Sequence, residues 1–212
     1  FGAGDYGGLR RVVANCVWLT AVFALLLTVL TTALCRPILV MMKTPDNILD
    51  AAYAYIWVIF LGIPVTFLYN MTSGVMRALG DSKTPVIFLV MSSFLNIGLD
   101  LFFIVNLRWD VQGAAWATVI SQGVSGLCCL LFMVKKFEIL RIRREEWAFD
   151  RHLAGNLCGM GVPMGLQYSI TAIGSVVIQT AVNTLGSVAV ASVTAGSKVS
   201  MFFCCPFEAM GA

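Results

Sequence analysis

Charge is what this sequence has least of. Lys and Arg number 14 and Asp and Glu 11 in 212 residues, together 12%. Soluble globular chains carry about 25%. A net charge of +3 with no basic face excludes the footprint of a nucleic-acid binder. Histidine occurs once, as His152 in a charged stretch, so no apolar run carries an imidazole for acid–base work. There is no CxxC, no HExxH and no GxSxG, and no single apolar run holds paired carboxylates. A structural zinc site, a disulfide framework and the common hydrolase sites therefore have no footing. The seven cysteines fall mostly within apolar runs, where a thiol packs as a small hydrophobe.

What is present is apolar. Hydrophobic residues make up 59% of the chain and its mean hydropathy is +0.87. That composition points to the lipid bilayer as solvent, with each crossing needing about 20 apolar residues. Six continuous runs fit: 12–35, 51–76, 85–107, 113–134, 153–185 and 188–206. Barrel strands would be about half as long and alternate. The expected fold class is therefore an all-α polytopic membrane protein with six transmembrane helices.

Punctuation supports these limits. Arg36-Pro37 is expected to interrupt the end of the first helix, and Thr44-Pro45-Asp46 to turn before the second. Gly80-Asp81 reads as a tight turn, with Thr84 as N-cap and Pro85 in the first turn of the third helix. Pro64 and Pro163 predict kinks. Phe1 and the apolar run that closes at Ala212 suggest an internal piece of a longer protein, not expected to fold alone.

Lys and Arg set the expected orientation. Arg10, Arg11, Arg77, Lys83 and the six basic residues from Lys135 to Arg151 fall on one side. Arg36, Lys43 and Arg108 fall on the other. The start of the chain and the 135–152 loop are thus expected in the cytoplasm, in a plasma (inner) membrane protein. That loop is the one long polar stretch, and such loops join the halves of repeat-built transporters.

An ionisable group within a span is a functional hypothesis by default, costing about 2.5–3.5 kcal/mol for Asp at the helix centre on translocon scales. Asp100 is the clearest case. Asn96 lies four residues before it, on the same helix face, and Ser93 extends the stripe. At 1.5 Å per residue, Asp100 lies roughly 10 Å below the outer end of its helix and Thr118 roughly 8 Å below the same boundary. The two helices share a short loop, so Asp100, Asn96 and Thr118 are expected to converge. A carboxylate, an amide oxygen and a hydroxyl suit Na⁺, or a proton held on Asp100. Lys198, roughly 15 Å into its helix, and the amides Asn70 and Gln167 are candidates for a substrate cavity. Gln179, Asn183 and Glu208 are further polar groups in the apolar runs. The plain alternative for all of these is hydrogen-bonded glue between helices.

The stretches Gly74-Val-Met-Arg77-Ala-Leu-Gly80-Asp81-Ser-Lys-Thr-Pro85, Asn96-Ile-Gly-Leu-Asp100 and Gly113-Ala-Ala-Trp-Ala-Thr118 resemble the multidrug and toxin extrusion family. Phe1 to Asp5 with Leu9-Arg10, Gly161-Val-Pro163, and Ala191 to Lys198 with Pro206 resemble it as well. The resemblance implies a twelve-helix fold of two six-helix lobes. Residues 1–134 would be a partial N-lobe holding its third to sixth helices. Residues 135–152 would be the inter-lobe loop, and 153–212 the start of the C-lobe with the seventh and eighth helices. It implies a transporter and not an enzyme: an antiporter, monomeric when full length, exporting organic cations or lipophilic drugs against inward Na⁺ or H⁺ flow, without a cofactor. The family's N-lobe cation site maps onto Asn96, Asp100 and Thr118. A Glu that some members carry in the seventh helix is Thr171 here, which favours coupling through the N-lobe. Other readings of the same residues are a lipid-linked oligosaccharide flippase of the same superfamily, a membrane-embedded enzyme and a non-transporting scaffold.

Overall fold

The structure, a computed structural model, describes residues 4–41, 46–140, 144–183 and 187–211. Its described elements are helices and turns. α1 spans Tyr6–Met41, α2 Asp46–Leu61, α3 Ile63–Ala78, α4 Lys83–Leu101 and α5 Asp110–Lys136; α6 spans Arg151–Asn183 and α7 Ser187–Gly211. The chain divides into two compact units, residues 1–154 and 155–212. Four stretches among the described residues are long and apolar enough to cross a membrane: Tyr6–Val40, Leu49–Ala78, Lys83–Asn106 and Asp110–Lys136.

The first unit is an up-and-down bundle centred on α5, which packs on α2, α3 and α4; α1 packs on α2 and α3. Small residues permit the close approach. A methyl added at Gly126 would stand 3.4 Å from the backbone nitrogen of Tyr69, and one at Gly123 would stand 3.5 Å from Val65. Serine hydroxyls tie α4 to α5: Ser92 donates to the Ser121 carbonyl at 2.9 Å, and Ser125 to that of Phe88 at 3.2 Å. Where lipid offers no polar partner, such bonds and small residues hold helices together. Large apolar side chains such as Leu25, Val29 and Phe94 point outward. Thr28, Thr31 and Thr32 bond back to carbonyls one turn earlier in α1, so their hydroxyls are satisfied without a second helix.

One end of the bundle holds a buried apolar cluster. Val13, Met76, Leu79, Cys129, Met133 and Leu140 form a buried cluster there. The α3–α4 turn closes this end. Gly80, at φ +89°, takes the left-handed position that ends α3, and Asp81 N–H donates to the Met76 carbonyl at 2.9 Å. Asp81, not Thr84, does the capping of α4: its carboxylate accepts the Thr84 N–H at 3.1 Å and the Thr84 hydroxyl at 2.8 Å. Thr84 already lies inside the helix, two residues past the N-cap position at Ser82. Lys136 at the end of α5 donates to the same carboxylate at 2.6 Å. That ammonium, with the two Thr84 donors, holds the Asp81 carboxyl at about 2, below its ordinary 3.8.

Other boundaries also differ from the expected ones. α1 starts at Tyr6 because Asp5 caps it, accepting the Gly8 N–H at 2.8 Å. It runs on through Pro37 to Met41. Pro37 deprives the Ala33 carbonyl of its helical donor, and only one further turn follows it. Residues 44 and 45, where a turn was expected, lie outside the described residues. In keeping with the kink expected at Pro64, the second span is two helices broken at Gly62, two residues before it. α6 continues through Pro163. α4 ends in a π-helical turn, Phe102–Asn106. Arg108 and Asp110 then take left-handed φ of 54° and 41° to reverse the chain. Trp109 between them stacks on Phe103 at 5.4 Å. Gly113 fits beneath, since a methyl there would stand 3.0 Å from the Phe103 Cβ.

Candidate functional site

Asp100 sits in the last turn of α4, directly before the π-helical turn. Its side chain is half-buried. Its Oδ1 is fully buried and has no hydrogen-bond partner among the described residues. A buried acceptor without a donor costs about 1–3 kcal/mol, and more when charged. Such an atom is completed by a proton or by a cation. π-helical turns recur at functional sites because they widen the local backbone.

Asn96, one turn before Asp100, donates from Nδ2 to Thr118 Oγ1 of α5 at 3.4 Å. Thr118 in turn donates to the Ala114 carbonyl at 2.9 Å. The α4–α5 packing thus brings Asn96 and Thr118 together. No hydrogen bond among the described residues joins Asp100 to either; it shares the Asn96 face of α4 one turn away. The Asn96 bond is long for N–H···O, and its amide oxygen is the atom suited to a cation. Ser93 is not part of this stripe. It is exposed and bonds back to the Leu89 carbonyl at 3.0 Å, while its neighbour Ser92 is the buried one.

A second polar pair lies one turn further along α5. Thr66 of α3 donates to Gln122 Oε1 at 2.7 Å. The sequence signal for it was faint: Gln122 follows Thr118 by four residues, and Thr66 follows Pro64 by two. Asp100, Asn96, Thr118, Gln122 and Thr66 thus step across three helices.

The expected cavity residues do not form one group in the first unit. Asn70 lines an apolar cavity of about 490 Å³ between α1 and α3, with Leu9, Cys16, Phe67 and Met71. Gln167 and Lys198 are exposed residues of α6 and α7 in the second unit. Thr171 donates to the Gln167 carbonyl at 3.0 Å, a bond within α6. The side chains of Gln179, Asn183 and Glu208 lie outside the described residues.

The segment before α6 is tied to the start of α1. Arg10 Nε lies 2.8 Å from both carboxylate oxygens of Glu146. Trp18 Nε1 donates to the Trp147 carbonyl at 3.1 Å. Fully buried Asn15 accepts the Asp150 N–H at 3.0 Å and donates to the Arg11 carbonyl at 2.9 Å. Residues 146–150 therefore belong to the first unit.

Comparison with known proteins places this arrangement among transporters. Residues 1–102 match the sequence model of the MatE family. A probable multidrug resistance protein of Bacillus subtilis, YpnP, is 34% identical over 81% of the chain and 38% of its own length. A second from the same organism, YoeA, is 27% identical over the whole chain and 47% of its own length. Among solved structures, the outward-facing conformation of a multidrug resistance MATE family transporter of the MOP superfamily superposes with a TM-score of 0.90. It is 25% identical over 99% of the chain and 47% of its own. The inward-facing conformation of such a transporter gives 0.84 over 97% of the chain and 47% of its own. The chain spans about half the length of these relatives, and its helices match half of a twelve-helix fold.

Proposed function

The chain belongs to the multidrug and toxin extrusion family, and from that premise we propose that the whole protein is a secondary active antiporter. It exports organic cations or lipophilic drugs, driven by inward Na⁺ or H⁺ flow through Asp100. One observation carries the coupling role: the buried, partnerless Oδ1 of Asp100 beside the Asn96–Thr118 pair. A hard-oxygen site of this kind gains from either a proton or Na⁺, so the carboxylate can exchange one for the other.

In this reading residues 1–134 are the greater part of an N-lobe, 135–152 the cytoplasmic inter-lobe loop and 153–212 the start of a C-lobe. We assign substrate contact to Asn70 in the first unit, and to Gln167 and Lys198 in the second. The protein acts as a monomer in the plasma membrane, without a cofactor, and transports rather than catalyses. Thr171, bonded within its own helix, gives the second lobe no carboxylate at that position.

Asp100→Asn in the full-length protein tests the proposal. The amide keeps the size but neither releases a proton nor neutralises Na⁺. The variant should insert normally and lose gradient-driven export of an organic cation such as ethidium. Undiminished gradient-driven export by Asp100→Asn would refute the coupling role.

A further inference from the structure

We infer that Gln122 and Thr66 are positioning residues for the cation site, linking it to the break between α2 and α3; this rests on Asp100 being that site. Three observations meet there. Gln122 stands one helical turn from Thr118, which receives Asn96, so the two side chains share a face of α5 with Cβ atoms about 6 Å apart. Gln122 accepts the Thr66 hydroxyl at 2.7 Å. Between them on α5, Val119 presses on the break itself: a Cβ at Gly62 would come within 2.6 Å of Val119 Cγ2.

The break depends on few bonds. Gly62 N–H is shared between the Val58 and Ile59 carbonyls at 3.1 and 3.0 Å, and the Gly62 carbonyl receives Val65 and Thr66 N–H, both at 3.1 Å. Pro64 donates nothing. Thr66 has one hydroxyl proton and two acceptors in reach, Gln122 Oε1 at 2.7 Å and the Gly62 carbonyl at 3.3 Å. The shorter bond holds it. If the Gln122 amide rotates, its nitrogen donates to Thr66 and the Thr66 proton turns to Gly62. The pair therefore has two self-consistent arrangements, and they differ in how many donors the break's carbonyl receives. A cation at Asp100 draws in the Asn96 oxygen, alters what Thr118 receives and shifts α5 at Thr118. Val119 and Gln122 carry that shift to Gly62.

The test uses the full-length protein in proteoliposomes. Ethidium export is followed while Na⁺ and pH are varied separately. Thr66→Val and Gln122→Leu remove the bond at nearly constant volume. Each should raise the coupling-cation concentration for half-maximal export about five-fold or more, the lower range of a typical coupling between sites, with little change in maximal rate. Thr66→Ser should behave as wild type, and the double variant should match the singles, because the two residues share one interaction. A role in stability alone would lower the amount of active protein and leave the half-saturating concentration unmoved. Unchanged half-saturation in Thr66→Val and Gln122→Leu, or additive shifts in the double variant, overturns the inference. A wild type indifferent to both gradients, or full coupling in Asp100→Asn, overturns the proposed function instead. Should Gln122→Leu fail to fold, Thr66→Val against Thr66→Ser decides alone.

Discussion

Gly62 meets Val119 of α5 closely, and that contact makes a quantitative prediction. A methyl at position 62 would lie 2.6 Å from Val119 Cγ2 and 3.3 Å from Cγ1, against about 3.5–4.0 Å for relaxed carbon contacts. The backbone at Gly62 is ordinary, with φ −75° and ψ −8°, so Gly62→Ala meets no dihedral strain. The cost is steric. Val119 lies in mid-helix, where a β-branched side chain has one strongly preferred rotamer, so α5 and the break must part by about 1 Å. Overpacking of this kind costs about 1–3 kcal/mol. Val119→Ala alone loses two half-buried methyls, about 1 kcal/mol at 0.8 per fully buried CH₂. Combined, the two changes should compensate, because alanine at 119 vacates the space that alanine at 62 needs. The double variant should be more stable than the sum of the singles by at least about 1 kcal/mol, a typical coupling for residues in contact. Thermal melting of the four full-length proteins in one detergent measures this cycle. Strictly additive shifts in melting temperature would mean that the α2–α3 break does not rest on α5 at Val119, and the proposed link to the proposed cation site would lose its steric half.

Two further predictions concern the end of the bundle that carries the basic loops. The Asp81 carboxyl is held at about 2 against 3.8, so the stabilisation from its Lys136 bond is complete above about pH 5 and is lost as pH falls through 3.8 towards 2. Stability of wild type relative to Asp81→Asn should therefore be constant from neutral pH to about 5, fall through the range between 3.8 and about 2, and vanish near pH 1; a difference with no fall across that range would refute the assignment to the carboxylate. Arg10 and Glu146 are 20% and 12% exposed, so Arg10→Ala should cost more than a surface pair, about 1–2 kcal/mol. Hydrogen exchange should rise at the Asp150 amide, which donates to Asn15, and unchanged protection there would show that the Arg10–Glu146 pair does not hold the segment.

What could be read from the residues alone divides along a physical line. Lipid demands long apolar helices with all backbone bonds made internally, so the spans were visible as apolar runs. Depth within a span follows from counting at 1.5 Å per residue; that count set Asp100 and Thr118 at nearly one level, and the bond that forms comes from Asn96, one turn deeper on the same face. Helix ends were harder, because they are set by single bonds and not by the run. α1 begins before Arg10 and Arg11, since Asp5 caps it and Glu146 takes the Arg10 charge.

Azimuth was hardest. Each residue turns the helix by about 100°, so one position separates Ser92, buried against Ser121, from exposed Ser93. Apolar runs with weak amphipathicity do not say which way they face. α4 and α5 are joined by a short reversal and had to be neighbours. The contact of α5 with α3 skips a helix in the chain, and its signs were only Gly123, Gly126 and a lone Gln122. The Thr66–Gln122 pair lay hidden for that reason: each residue alone is an amide or a hydroxyl in an apolar run. Only the facing of two non-consecutive helices makes them one hydrogen bond. In a lipid-embedded bundle, then, polar residues on helices adjacent in the chain can be paired by counting, while polar pairs between non-consecutive helices appear only once the packing is known.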